Sequence, residues 1–111
     1  MKNLIFVMTL FFSTSLLAEE LFCTVSVNME VVAEEVVTVE AKTKVTYVKA
    51  SDFIFYVANK GNSKFELEIF NLGAPSRSYA EGFLRTNEDA LTWTLWTRDY
   101  LLETSCRLAD K

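Results

Sequence analysis

The sequence predicts a single small all-β domain, an antiparallel meander of about seven to eight strands closing into a barrel, with a two-sheet β-sandwich as the alternative. Three observations predict it. From Leu21 onward, apolar and polar residues alternate with the period of two that marks half-buried strands. Short clusters of Asn, Asp, Gly, Ser and Pro interrupt the alternation at hairpin spacing. The only two cysteines, Cys23 and Cys106, stand near the two ends and fall on the apolar side of the first and last strands.

The first element is a leader. Lys2 supplies a short positive region, Leu4 to Phe12 form an apolar run, and Leu16-Leu17-Ala18 offers a small residue for cleavage. Residues 1–18 therefore read as a secretory signal peptide, and residues 19–111 as one domain, exported to the periplasm or secreted. A lipid anchor would need a small-residue box before its cysteine, whereas Cys23 follows Glu20-Leu21-Phe22. The full chain has 11 basic and 15 acidic residues, and losing Lys2 with the leader takes the formal charge from -4 to -5. That balance argues against nucleic acid or an anionic membrane surface and favours a cationic partner.

Outside the cytoplasm, an even pair of cysteines reads as one disulfide. The bond closes nearly the whole domain, which the loop-entropy account values at about 4–5 kcal/mol. With no Cys-x-x-Cys spacing and no histidine, neither a redox nor a zinc role is expected.

The strands follow in order. Leu21, Cys23, Val25, Val27, Met29 and Val31 alternate with polar neighbours and Phe22. Ala33-Glu34-Glu35 reads as the first turn, and residues 37–47 as a second strand of unusual length, bent or bulged near Thr43. After Ser51-Asp52, residues 53–58 are apolar on both faces. Asn59-Lys60-Gly61-Asn62 is the clearest hairpin turn, because Asn and Gly tolerate positive φ. Phe65, Leu67 and Ile69 then face Lys64, Glu66, Glu68 and Phe70. Beyond the loop at Leu72-Gly73-Ala74-Pro75-Ser76, a strand over 77–85 sets Ser78, Ala80 and Gly82 against Tyr79 and Phe83, with its orientation open. Thr86-Asn87-Glu88-Asp89 turns the chain into 91–96, and Arg98-Asp99 into a last strand that aligns Tyr100, Leu102, Thr104, Cys106 and Leu108.

A meander whose end strands share a core-side disulfide can close on itself and hide its edges. An outer-membrane barrel is disfavoured, because the other faces carry Lys42, Lys44, Lys64, Glu66, Glu68, Glu103 and Arg107. Histidine-dependent catalytic triads are excluded by composition. Glu66 and Glu68 share a face and could be imagined as an acid/base pair, but a solvated strand face is the expected reading. No cofactor, metal or catalytic residue is expected.

Aromatic residues on the outward faces are the remaining signal. Phe22, Tyr56, Phe70 and Trp96, joined by Tyr79 or Phe83, fall outward by the alternation, and aromatics are favoured in interface cores. The expected function is thus a non-enzymatic module that binds or inhibits another exported protein, charge complementarity favouring a cationic one. The alternatives are a structural or self-associating homo-oligomer of the cell envelope and a carrier of a small apolar ligand. Tyr79-Ala80-Glu81-Gly82 and Ser105-Cys106-Arg107 resemble segments of the c-type lysozyme inhibitors, small exported β-barrels. The likeness covers a handful of residues and lacks the Ser-Gly before the tyrosine, Pro75-Ser76-Arg77-Ser78 standing there instead. It implies inhibition of a muramidase.

Overall fold

Leu21, Cys23 and Val25 lie on one side of an extended segment, and in the computed structural model, which describes residues 18–109, that segment is the first of eight antiparallel strands. They are β1 (Ala18–Val27), β2 (Glu30–Glu40), β3 (Thr43–Ala50), β4 (Phe53–Gly61), β5 (Lys64–Asn71), β6 (Ser76–Phe83), β7 (Ala90–Trp96) and β8 (Leu101–Leu108). The signal peptide read at residues 1–18 lies outside the described residues apart from Ala18, which opens β1. Among the described residues no helix is long and apolar enough to cross a membrane.

The closed barrel is not formed. The strands make two separate four-stranded sheets, the first ordered β2-β1-β8-β7 and the second β3-β4-β5-β6. Sequential strands pair within each sheet, but the hydrogen-bond ladder stops at two corners. At the first, Glu40 ends β2 paired to Ala18, while Thr43 begins β3 paired to Asn59, so the chain changes sheet within two residues. Asn59 bridges the gap: its carbonyl accepts from Lys42 N at 2.6 Å, and its side-chain amide donates to Val39 O at 3.0 Å. At the second corner the inward positions of β6 are Ser78, Ala80 and Gly82, too small to hold the sheets apart. A Cβ on Gly82 would stand 3.3 Å from Leu91 Cδ1. The layers therefore pack face to face as a sandwich.

The disulfide does join the first and last strands. Cys23 and Cys106 are direct partners in the β1–β8 register, 4.1 Å apart at Cα, so the bond lies within the first sheet and not between the two. Leu21, Val25 and Val39 on this sheet meet Phe55, Val57, Phe65, Leu67 and Ile69 on the other, all fully or almost fully buried. Burial of each phenylalanine contributes about 2–3 kcal/mol. Phe53 meets Tyr100 edge-on across the sheets, with ring centroids 6.4 Å apart.

Four local readings change. The hairpin read at Asn59-Lys60-Gly61-Asn62 turns at Asn62-Ser63, both with positive φ, and Asn59, Lys60 and Gly61 lie inside β4. β1 ends at Val27, where Asn28 and Met29 turn the chain with φ of 54° and 68°; Ala33-Glu34-Glu35 lies inside β2. The long second strand is two strands, divided at Ala41-Lys42. The bulge falls at Thr46/Val48, and Tyr47 inside it is buried in the core. The open orientation of β6 resolves with Tyr79 and Phe83 outward, 55% and 46% exposed.

Candidate protein-binding face

Antiparallel register decides which outward residues meet, because directly paired residues share a face. In the second sheet Ile54 pairs with Phe70 and Phe70 with Arg77; in the next row Thr46 pairs with Tyr56, Tyr56 with Glu68 and Glu68 with Tyr79. Three of the expected aromatics, Tyr56, Phe70 and Tyr79, thus come together on the outer face of β4, β5 and β6. Phe83 extends the group at the far end of β6.

Glu68 is the centre of this face. Its carboxylate is almost fully buried although it points away from the core. Lys44 of β3 donates to Oε1 at 2.7 Å, and the Arg77 guanidinium of β6 donates to Oε2. Each cation also lies over a ring: Lys44 Nζ is 5.1 Å from the Tyr56 centroid, and Arg77 Cζ is 4.5 Å from that of Phe70. Such contacts contribute about 0.5–1 kcal/mol each at exposed sites. The hydrogen bond from Lys44 above all, with Arg77 adding to it, holds the Glu68 carboxyl below the usual glutamate range against the opposing effect of burial.

The solvated face expected for Glu66 and Glu68 is therefore correct for neither in full. Glu66 stands 3.5 Å from Lys60, and Glu68 is covered by its two cations and flanking tyrosines. With both oxygens engaged, Glu68 is an ionised structural anchor and not a poised general acid. No group of three or more His, Cys, Asp or Glu suited to a metal ion occurs among the described residues.

Phe22 and Trp96 are elsewhere. Both project from the first sheet, on the opposite side of the sandwich. Phe22 pairs with Val36 and Arg107, the guanidinium lying 5.2 Å from its ring centroid, beside an open depression of about 530 Å³. Trp96 ends β7 and is 80% exposed. The expected set is thus split three and two between opposite faces. Sequence reading missed Glu68, Lys44 and Arg77 as members of the site, because each reads as an ordinary solvated charge until the register sets them side by side.

The segments that resemble lysozyme inhibitors are likewise divided. Tyr79-Ala80-Glu81-Gly82 belongs to β6 in the second sheet, while Ser105-Cys106-Arg107 belongs to β8 in the first. Their outward side chains face opposite ways and do not compose one site. No protein family, curated protein or solved structure matches the chain.

Proposed function

We propose that this chain is a non-enzymatic binding module that docks the outer face of its second sheet onto another exported protein. One observation carries the reading: Tyr56, Phe70 and Tyr79 converge from three adjacent strands around the ion-paired Glu68. Tyrosine and arginine are the residue types that dominate binding energy in protein interfaces. Here Arg77 is stacked on Phe70 and tethered by Glu68, so it has little side-chain freedom left to lose on docking. The acidic balance of the chain favours a cationic partner through long-range steering. The inner faces are filled by Phe55, Phe65, Leu67 and their neighbours, which supports binding at the surface over carriage of an apolar ligand inside.

The test is capture of a partner from an extracytoplasmic extract by wild-type, Phe70→Ala, Tyr79→Ala and Trp96→Ala proteins. One captured protein should be lost with Phe70→Ala and Tyr79→Ala and retained with Trp96→Ala. Equal capture by all four would discard the face, and loss with Trp96→Ala alone would move the site to the first sheet. Muramidase assays with the purified protein ask whether docking is inhibitory; no effect at high molar excess removes that form of the proposal.

A further inference from the structure

We infer that the free edge of β2 is a second docking site, one that takes an extended cationic polypeptide segment as an added strand. β2 is the outer strand of the first sheet, and among the described residues β1 is its only ladder partner. Near its C-terminal end Asn59 covers Val39, but over residues 33–38 no strand among the described residues pairs with its other side. An unpaired edge presents a row of backbone donors and acceptors that another chain can complete. The β-bulge sets Val32 apart near the hairpin end, and residues 33–38 continue as regular ladder.

The side chains on this edge define what fits. Of the devices that guard an edge, this one has a β-bulge at Val32 and the carboxylates of Glu34 and Glu35 but no lysine or proline, so it repels acidic strands and leaves a cationic one free to pair over residues 33–38. Val31, Val32 and Val36 are more than half exposed and offer apolar, β-branched neighbours. Charge has one sign throughout the β1–β2 ribbon: residues 18–41 carry Glu19, Glu20, Glu30, Glu34, Glu35 and Glu40 and no lysine or arginine. Glu34 shares the outer face with its partner Thr24, and Glu35 the opposite face with its partner Cys23, so an added strand meets a carboxylate on each side. A second copy is disfavoured. Antiparallel self-pairing centred on Glu34 and Glu35 would set carboxylates against carboxylates, whereas lysines or arginines opposite them would be stabilising. The site lies in the other sheet from the aromatic face and does not depend on it.

Two labelled peptides test this, an alternating Lys-Val octamer and its Glu-Val counterpart, titrated against the disulfide-bonded protein with amide NMR and hydrogen exchange as readouts. The Lys-Val peptide should shift the amides of residues 33–38 and newly protect the alternate ones that face away from β1, bind more weakly as salt rises, and outcompete the Glu-Val peptide. The double variant Glu34→Lys/Glu35→Lys should reverse the preference between the two peptides by roughly tenfold or more. Because that result is a gain of binding, a misfolded variant cannot imitate it. Shifts confined to the second sheet, equal binding of both peptides, or protection of 33–38 that rises with protein concentration alone would each overturn the inference, the last by assigning the edge to a second copy.

Discussion

Tyr47 and Thr104 are joined by a hydrogen bond of 2.6 Å that runs from β3 to β8 and therefore from one sheet to the other. The Thr104 hydroxyl gives its own proton to Thr24 O at 2.8 Å, which makes Tyr47 the donor of the inter-sheet bond. Both side chains are buried. Among the described residues the two layers share no ladder, and this contact, together with the Asn59–Val39 bond at the corner, ties one sheet to the other.

Tyr47→Phe should lower stability by about 1 kcal/mol, the usual net value of such a bond. Thr104→Val should cost more, about 1–3 kcal/mol, since it leaves a buried phenol with no acceptor. The double variant should lose less than the sum of the two, a coupling that urea denaturation of all four proteins measures. Burial also raises the Tyr47 pKa above its ordinary value of 10.0, the bond to Thr104 acting the other way. A raised folded-state value means that the contribution is intact below pH 10 and is lost as pH climbs above it. Stability should accordingly fall in alkali for the wild type and fall less for Tyr47→Phe.

Glu68 carries the opposite pH signature. Its folded-state pKa lies below the ordinary 4.5, so its contribution is complete above that value and disappears as pH drops through the lowered one. The acid limb of the stability profile should flatten in Glu68→Gln. At neutral pH that substitution should be mild, because Lys44 and Arg77 are nearly half exposed and can be rehydrated. Lys44→Met/Arg77→Met should be the more damaging change, by about 1–3 kcal/mol, as it strands a buried carboxylate. Urea midpoints between pH 3 and pH 7, on the order of the range over which carboxylates titrate, separate the three proteins.

Alternation makes legible those strands in which one face is buried and the other is not. It found the inward set of β5, the core side of β8 and the meeting of Cys23 with Cys106. It failed at Asn28-Met29 because Met29 and Val31 continue the period of two across the turn, and on an exposed edge strand valine no longer reports burial. The corners that separate a sandwich from a barrel depend on Asn59 reaching Val39 and on Gly82 admitting Leu91. Those are contacts between distant strands, and linear spacing does not encode them. Glu68 was hidden for the same reason: its burial is made by side chains of β3 and β6 brought beside β5 by register.

The disulfide is fully buried in the middle of the first sheet, so its chemistry should follow unfolding. Cys23→Ser/Cys106→Ser should lose about 4–5 kcal/mol by the loop-entropy account, less any structure retained in the unfolded chain. In the native protein, dithiothreitol should reduce the bond no faster than the sandwich opens. Thiol trapping followed by mass spectrometry, run beside unfolding kinetics at several urea concentrations, compares the two rates. Reduction well ahead of unfolding would contradict the buried placement.

The turn between β1 and β2 holds stability that a single substitution can recover. Val27 and Glu30 are paired, leaving a two-residue hairpin in which Asn28 and Met29 both have positive φ. Asparagine accepts that conformation and here has a further task, its Oδ1 accepting from Leu101 N at 3.0 Å. Methionine has no such excuse: it is 80% exposed, makes no core contact and bears the steric penalty of a Cβ in the left-handed region. Met29→Gly creates the Asn-Gly pair that this turn geometry prefers. After the entropic cost of glycine it should gain about 0.5–1 kcal/mol, a rise of several degrees in Tm for a domain of this size. Asn28→Ala should move Tm the other way, since it removes both the tolerant backbone and the bond to Leu101. Opposite signs at adjacent positions in calorimetry would establish the turn; a loss on Met29→Gly would show that the chain does not reverse there.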